Sequence, residues 1–512
     1  MASIKKVINS TTFKVFLLFV IAFLPRIINL GGHVVFVDEI TWMSRAKDVY
    51  AAVRTMTWSQ YNVKWWLITT TTEAIGLPVT FLSGIAMTYL SPGYSVHSLN
   101  ITTDYIAARL PVVLIGTFFI PIFYLLLKKF INDKLAFVTS LLLAIDPIAI
   151  ALSRWVQHDT ALMAFSSLSL LLYLISKRKI NVVLSAFLAS MAILSKPQGF
   201  LIVFTLLIFY VVSFLTKQRI SFKKLLVWLV LTAAFTVLFF PYLWSNPIGN
   251  MLTYLATQTS YVGMGNLTYF NGAITSNPPW YYYFFIFPFR VPESVLIGFL
   301  VGLILFLVNI KSKLSRNKFF QVIFIYSVIY MLLMSFSNKK LGIRYLLGVW
   351  PYMYIVAASG FIYLEKFIRR SFKKVYWLVI LLFPIWGILK FSPVYYDYYN
   401  HFITPQKFQS LESVAYCDSV KPAIEYLGPK LHQNIKLMLL GCDVAINYYT
   451  GYTIDRVQSP FENPEFIIEE YANGQKSLDI YSQIQKAGYQ EIKEIDFRGL
   501  ILAKIYQKPI KK

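Results

Sequence analysis

The sequence predicts an α-helical protein with about eleven membrane-crossing helices, followed by a small external α/β domain. Three observations predict it. The 512 residues are 57% hydrophobic and only 14% charged, well under the quarter usual in soluble domains. The apolar residues fall in blocks such as Phe13–Phe23, Ile106–Leu127, Leu135–Ile145, Leu225–Phe240 and Trp377–Ile388, which approach or reach bilayer-spanning length. Charge is also partitioned: residues 1–391 carry 35 Lys and Arg against 10 Asp and Glu, and residues 392–512 carry 13 against 14. The first part is therefore read as a membrane domain and the second as a soluble one.

In lipid, backbone polar groups must bond within their own segment, so the apolar blocks should be helices. They start near Phe13, Ile106, Leu135, Thr160, Ile180, Phe200, Leu225, Val291, Phe319, Ile343 and Val375. Every second connection is basic, as in Lys128/Lys129/Lys134, Lys177/Arg178/Lys179, Lys217/Arg219/Lys223/Lys224, Lys311/Lys313/Arg316/Lys318 and Lys366/Arg369/Arg370/Lys373/Lys374. By the positive-inside rule these loops and the N-terminus are cytoplasmic in a multi-pass plasma-membrane protein. That use of the +24 net charge excludes nucleic acid as the partner and makes the lipid bilayer one. The first block has no small-residue cleavage site; Pro25–Arg26 follows it, so it reads as an uncleaved span.

The alternate connections are then external. Residues 31–105 and 244–290 are long, and long loops in membrane proteins are usually functional. Within the first, Ala46, Val49, Tyr50 and Val53 recur at helical spacing across Ile40–Met56, which suits an interfacial helix. Trp58, Trp65 and Trp66 suit the headgroup level. Leu77–Leu90 suits a re-entrant or interfacial helix. The second loop is rich in aromatics, Gly and Pro (Tyr261–Gly265, Tyr269–Gly272, Asn277–Tyr283); its rings line a ligand path or form an interfacial belt. In the tail, Ile435–Leu440 and Leu500–Tyr506 read as strands and Asp443 opens a possible helix. Cys417 and Cys442 lie in this external domain, where a disulfide is allowed and free thiols are equally compatible.

The ten acids before residue 392 are informative because carboxylates are costly in apolar surroundings. Asp133 and Glu365 fall on the cytoplasmic side. Asp38–Glu39 follows Val35–Phe36–Val37 after the first span; Asp38 suits a general base or caps the helix from Ile40. His158–Asp159 follows Ser153–Arg154; Asp159 orients a base, binds a metal or caps the next span. Asp38, Asp159 and His158 together offer a divalent-metal set, without a ligand spacing that demands one. Lys196, and the group Lys339, Lys340 and Arg344, are cations on the external side. Topology does not call for them there, whereas an anionic phosphate does; attraction to lipid headgroups is the other reading. Sequons stand at Asn100 and Asn266.

The order of these segments resembles the GT-C fold glycosyltransferases of the protein O-mannosyltransferase and aminoarabinose transferase superfamily. The resemblance rests on Asp38–Glu39, Ala108–Arg109–Leu110–Pro111, Ser153–Arg154 with Asp159, Lys196–Pro197–Gln198–Gly199, and Arg344–Tyr345–Leu346–Leu347 through Pro351. Phe270–Asn271–Gly272 with Pro279–Trp280–Tyr281–Tyr282 is similar to the family's second external loop. It implies a polyprenyl-phosphate-linked sugar donor at the outer face and inverting transfer to a protein hydroxyl, lipid or glycan. It implies Asp38 as base, with Glu39 and Asp159 as catalytic partners. Lys196 and Arg344 would hold the phosphate, and Arg109, Tyr345 and His158 would join the substrate-binding set. The family's basic first-loop motif departs here to Thr72–Glu73–Ala74–Ile75–Gly76–Leu77–Pro78, where Glu73 is a candidate substrate ligand in its place. The rival reading is a transporter of lipid-linked sugars, although no repeat symmetry is visible.

Overall fold

The computed structural model describes residues 10–32, 35–36, 38–55, 76–93, 101–175, 178–218, 220–310, 317–412, 417–441, 454–471 and 478–509. Trp58, Trp65, Trp66, Glu73, Asn100, Cys442 and the helix expected from Asp443 lie outside the described residues.

The membrane part is a helical bundle. Its helices are α1 (Thr11–Ile27), α2 (Glu39–Thr55), α3 (Leu77–Leu90), α4 (Ile101–Leu127), α5 (Asp133–Ala144), α6 (Pro147–Leu152), α7 (Asp159–Ile175), α8 (Lys179–Ser195), α9 (Leu201–Leu215) and α10 (Phe222–Phe239). There follow α11 (Pro247–Gly263), a hairpin of β1 (Thr268–Phe270) and β2 (Ala273–Thr275), α12 (Tyr282–Arg290), α13 (Glu293–Val308), α14 (Lys318–Phe336), α15 (Trp350–Leu364) and α16 (Lys373–Phe391). Each expected span start falls within or just before a helical segment.

Among the described residues six helical stretches are long and apolar enough to cross a membrane: 103–127, 197–215, 222–239, 318–336, 343–367 and 370–391. The block expected to span from Leu135 is not one continuous helix: the 12 residues of α5 rise only ~18 Å, and the 6 residues of α6 follow after a break. The chain breaks at Asp146, whose carboxylate accepts from Ala149 N at 2.6 Å and caps α6, with Pro147 in its first turn. The amphipathic helix expected at Ile40–Met56 forms as α2. Much of it is buried (Ile40, Trp42, Met43, Ala46, Val49, Ala52), and it packs against α3.

The tail contains α17 (Pro405–Leu411), α18 (Val420–Leu427), α19 (Leu478–Lys486) and strands β3 (Lys436–Leu440), β4 (Asp455–Val457), β5 (Phe466–Glu470), β6 (Gln490–Phe497) and β7 (Leu500–Gln507). The sheet order is β4-β3-β5-β7-β6; β3 runs parallel to β4 and β5, and β7 antiparallel to β5 and β6. Both expected strands are present. Cys417 is disulfide-bonded.

The tail is stitched to the bundle. Residues 395–400 are buried, Arg290 Nη1 donates to Tyr398 O at 2.9 Å, and the Asn400 amide donates to Pro288 O and Val291 O. Arg498 Nε donates to Lys390 O at 2.7 Å.

Candidate active site

Two ion pairs join segments far apart in sequence at one end of the bundle. Lys196 leaves the C-terminus of α8, and its Nζ lies 2.5 Å from Asp159 Oδ1. Arg344 begins the turn of helix that leads into α15, and its Nη1 lies 3.7 Å from Asp38 Oδ2. Tyr345 sits between the cations: its ring centroid is 4.6 Å from Lys196 Nζ and 5.5 Å from the Arg344 guanidinium. On its other side Arg344 lies 5.2 Å from the Phe36 ring, which stacks on Trp155 at 4.5 Å.

Local backbone chemistry sets these positions. After Lys196 the chain tightens into a 3-10 turn over Pro197–Phe200, with Gly199 N donating to Lys196 O at 2.8 Å. A Cβ on Gly199 would sit 2.3 Å from the carbonyl carbon of Ala192, so only glycine lets this turn close on α8.

Neither acid serves as the helix cap its position suggested. Asp159 spends its carboxylate on Lys196. Among the described residues the Asp38 carboxylate has Arg344 as its partner. Its side chain is 46% exposed against 4% for Asp159, so Asp38 is the acid that an incoming molecule can reach.

Glu39 and Arg109 are placed differently from expectation. Both side chains are fully buried and face each other, with Arg109 Nε to Glu39 Oε1 at 2.8 Å and Nη2 to Oε2 at 2.6 Å. Phe36 N and Val156 N donate to the same carboxylate at 2.9 Å, and Arg109 Nη1 donates to Leu30 O at 2.7 Å. All these groups are used in tying the first loop to α4 and to the loop before α7, which leaves no open face for a substrate.

His158 is buried against Trp42, edge to face at 4.3 Å. Gly76 (φ +84°) roofs it; a Cβ there would lie 2.0 Å from the imidazole. Among the described residues neither ring nitrogen has a hydrogen-bond partner. Burial, then the charges of Lys196, Arg45 and Arg344, hold its pKa well below the usual histidine range. A neutral ring among cations, beside an aspartate already bound to lysine, does not fit the divalent-metal set of Asp38, Asp159 and His158. Among the described residues no three His, Cys, Asp or Glu gather as a metal site.

Sequence reasoning did not separate Lys339 from Lys340. Lys340 Nζ donates to Pro278 O at 2.9 Å and anchors the second long loop. Lys339 belongs to the basin: burial, then Arg344 and Lys196, lower its pKa to about 8, with Asp38 opposing. Burial is also the main cause lowering Lys196, opposed by Asp159. Three cations thus share a space with two carboxylates, a surplus of one positive charge. Glu412 is a further buried acid near the site, 3.5 Å from Arg290, and burial raises its pKa. No motif marked it.

Beside the basin lies an apolar cavity of about 720 Å³ between α12, α13, α14 and α15, lined by Tyr283, Phe287, Phe299, Phe324, Leu346 and Tyr352 among others. Tyr283 is within electrostatic reach of Arg344 and Tyr345, so one end of the cavity meets the charged basin.

Comparison with known proteins gives a consistent result. Residues 96–244 match the family model described as dolichyl-phosphate-mannose-protein mannosyltransferase. No curated protein matches by sequence. Among solved structures, the fold is similar to ArnT from Cupriavidus metallidurans bound to undecaprenyl phosphate: TM-score 0.53, 11% identity, 98% of this chain and 99% of that one. It is also similar to the archaeal oligosaccharyltransferase AglB from Archaeoglobus fulgidus in complex with an inhibitory peptide and a dolichol-phosphate: TM-score 0.54, 11% identity, 94% of this chain and 72% of that one. The fold is the GT-C glycosyltransferase fold, and the resemblance to the mannosyltransferase and ArnT superfamily is upheld.

Proposed function

We propose that this chain is a membrane glycosyltransferase that moves a sugar from a polyprenyl-phosphate donor to an acceptor nucleophile at the outer face of the plasma membrane. The observation that carries the reading is the meeting of an accessible carboxylate, Asp38, with a cation-rich basin at one end of an apolar cavity. A lipid-linked sugar phosphate has the matching parts: an apolar tail, an anionic phosphate and a sugar at the reacting carbon.

The tail takes the cavity. Lys196, Arg344 and Lys339 face the phosphate, where charge-assisted hydrogen bonds to its oxygens are strong. Asp38 accepts the proton of the acceptor hydroxyl or amine. The acceptor atom bonds to the anomeric carbon from the side opposite the phosphate, the carbon–oxygen bond to phosphate breaks, and the electron pair leaves with polyprenyl phosphate. The configuration inverts. Cations already in place where phosphate charge develops lower the barrier without reorganising. Tyr345 separates Lys196 from Arg344 and keeps both aimed into the basin. Asp159 positions Lys196, and Glu39 with Arg109 fixes the loop that carries Asp38. His158 borders the basin as a neutral donor or acceptor.

The test is to incubate the purified protein in detergent with radiolabelled polyprenyl-phosphate sugars and a membrane extract. Label appearing on an acceptor supports the reading and identifies the product class. Absence of transfer with every donor, together with label crossing a liposome bilayer, would replace it with transport.

A further inference from the structure

Between Lys224 and Arg290 the chain has no Asp, Glu, Lys, Arg or His. Only the first part of that run is a membrane-length helix, α10, which ends at Phe239. The remainder is the second long loop, and a loop facing water on all sides normally carries charge.

Its helix α11 has three faces. Tyr254 and Gln258, four residues apart, are buried against the protein. Ile248, Leu252, Leu255 and Val262 repeat at helical spacing along a second face and are exposed, Ile248 by 76% and Leu252 by 63%. Thr253 and Ser260 lie on the third, also exposed. The Thr253 and Thr259 hydroxyls donate back to Gly249 O at 3.0 Å and Leu255 O at 2.8 Å, so neither needs water as an acceptor. Exposed apolar side chains continue at Trp244, Met264, Leu267, Trp280 and Phe284.

We infer that α11 lies in the plane of the membrane with the Ile248–Leu252–Leu255–Val262 face immersed in the outer leaflet. The occupant is lipid rather than protein for two reasons. The face continues without a charge from the membrane-length helix α10. It also leads to Trp280 and Phe284, which line the apolar cavity. An amphipathic helix of this kind seats about 5–10 Å into the boundary between headgroups and chains.

The placement deepens the proposed transferase reading and rests on it for its consequence. Gly263 O, at the end of α11, accepts from Asn338 Nδ2 at 3.3 Å. Asn338 precedes Lys339, and Thr268 Oγ1 donates to Lys340 O at 2.9 Å. Immersion of α11 therefore fixes the cation loop at the level where phosphates of the leaflet lie. The donor then enters sideways from lipid, with its phosphate already at the depth of Lys339.

The experiment places single nitroxide labels at 248, 252, 255, 253 and 260 of the full-length protein in phosphatidylcholine/phosphatidylglycerol vesicles. Collisions with oxygen and with a water-soluble nickel chelate are then measured. The expected result is depth of about 5–10 Å for 248, 252 and 255, with 253 and 260 open to nickel. Nickel access at all five positions would overturn the inference. Immobile labels shielded from both reagents at 248, 252 and 255 would also overturn it, in favour of a protein partner or second copy. A second variant, L252E/L255E, should raise the KM for donor in vesicles by about tenfold and leave turnover in detergent micelles intact; equal KM in vesicles would contradict the inference. Failure of transfer by the wild type with every donor would remove the transferase reading and leave the depth measurement standing.

Discussion

Glu39→Gln separates a framing role for the acid beside Asp38 from a chemical one. The Glu39 carboxylate accepts from two Arg109 nitrogens and two backbone amides at 2.6–2.9 Å, in a place without solvent access. An amide in its place has one acceptor oxygen where two were used, and its NH2 meets N–H donors. Arg109 is left charged and buried without its carboxylate, beside Leu30 O and the Tyr105 ring at 4.7 Å. Removing one partner of a buried pair costs about 3–5 kcal/mol, a large part of a typical folding stability of about 5–15 kcal/mol. The assay is thermal unfolding in micelles followed by tryptophan fluorescence, with donor turnover measured on the folded fraction. E39Q should melt well below the wild type, and its folded fraction should keep most of its turnover. In the double-mutant cycle, E39M/R109M should lose less than the sum of the single losses. A variant that melts like the wild type but has lost turnover would refute the framing role and return Glu39 to the chemistry.

Lys196→Met leaves Asp159 buried without its cation and takes a charge from the phosphate site; donor KM should rise by about 10–100-fold, as for the loss of about 1.5–3 kcal/mol of charged hydrogen bonding, with acceptor KM little changed. Unchanged donor affinity would count against this role. Lys339 is held at about 8, so bound donor favours its protonated form: affinity is full below that pH and falls by up to about tenfold per unit as pH rises through it, by single-proton linkage. Lys339→Arg should lose this alkaline limb, and its persistence would assign the limb elsewhere. Ser335 lines the cavity and is buried; Ser335→Phe should overpack it by about 1–3 kcal/mol, raising KM for a long-chain donor more than for a short-chain analogue in a direct kinetic comparison.

The bundle was largely legible because its signal is local. Apolar blocks and basic connections mark the eleven expected span starts from residues adjacent in sequence, whereas α6, α11 and α12 carry no such mark. Where the structure departs from a continuous span, the cause is a single residue with a local alternative: Asp146 with Pro147 divides the Leu135 block into α5 and α6. The acids and cations of the candidate site stand out in the sequence by their scarcity and their side of the membrane, and the resemblance supplied the roles proposed for them. Spacing placed Asp38 and Asp159 at helix starts and favoured capping, whereas each is engaged by a distant cation. Lys196 comes 37 residues after Asp159, and Arg109 comes 70 after Glu39; no periodicity reports pairs of that separation. Lys339 and Lys340 are neighbours of identical chemistry, and only their surroundings assign one to the basin and the other to Pro278 O. Composition changes at Tyr395, but it could not reveal that residues 395–400 pack into the bundle before the sheet begins.

The most direct test of the central claim is single-turnover transfer by Asp38→Asn, with donor affinity measured on the same preparation. Asp38 is half exposed and its nearest charged partner is 3.7 Å away, so the amide should fold and hold donor like the wild type. Transfer should fall by about 10²–10⁴-fold, the usual contribution of a general base. Transfer at the wild-type rate with donor bound normally would contradict the account and remove Asp38 from the chemistry.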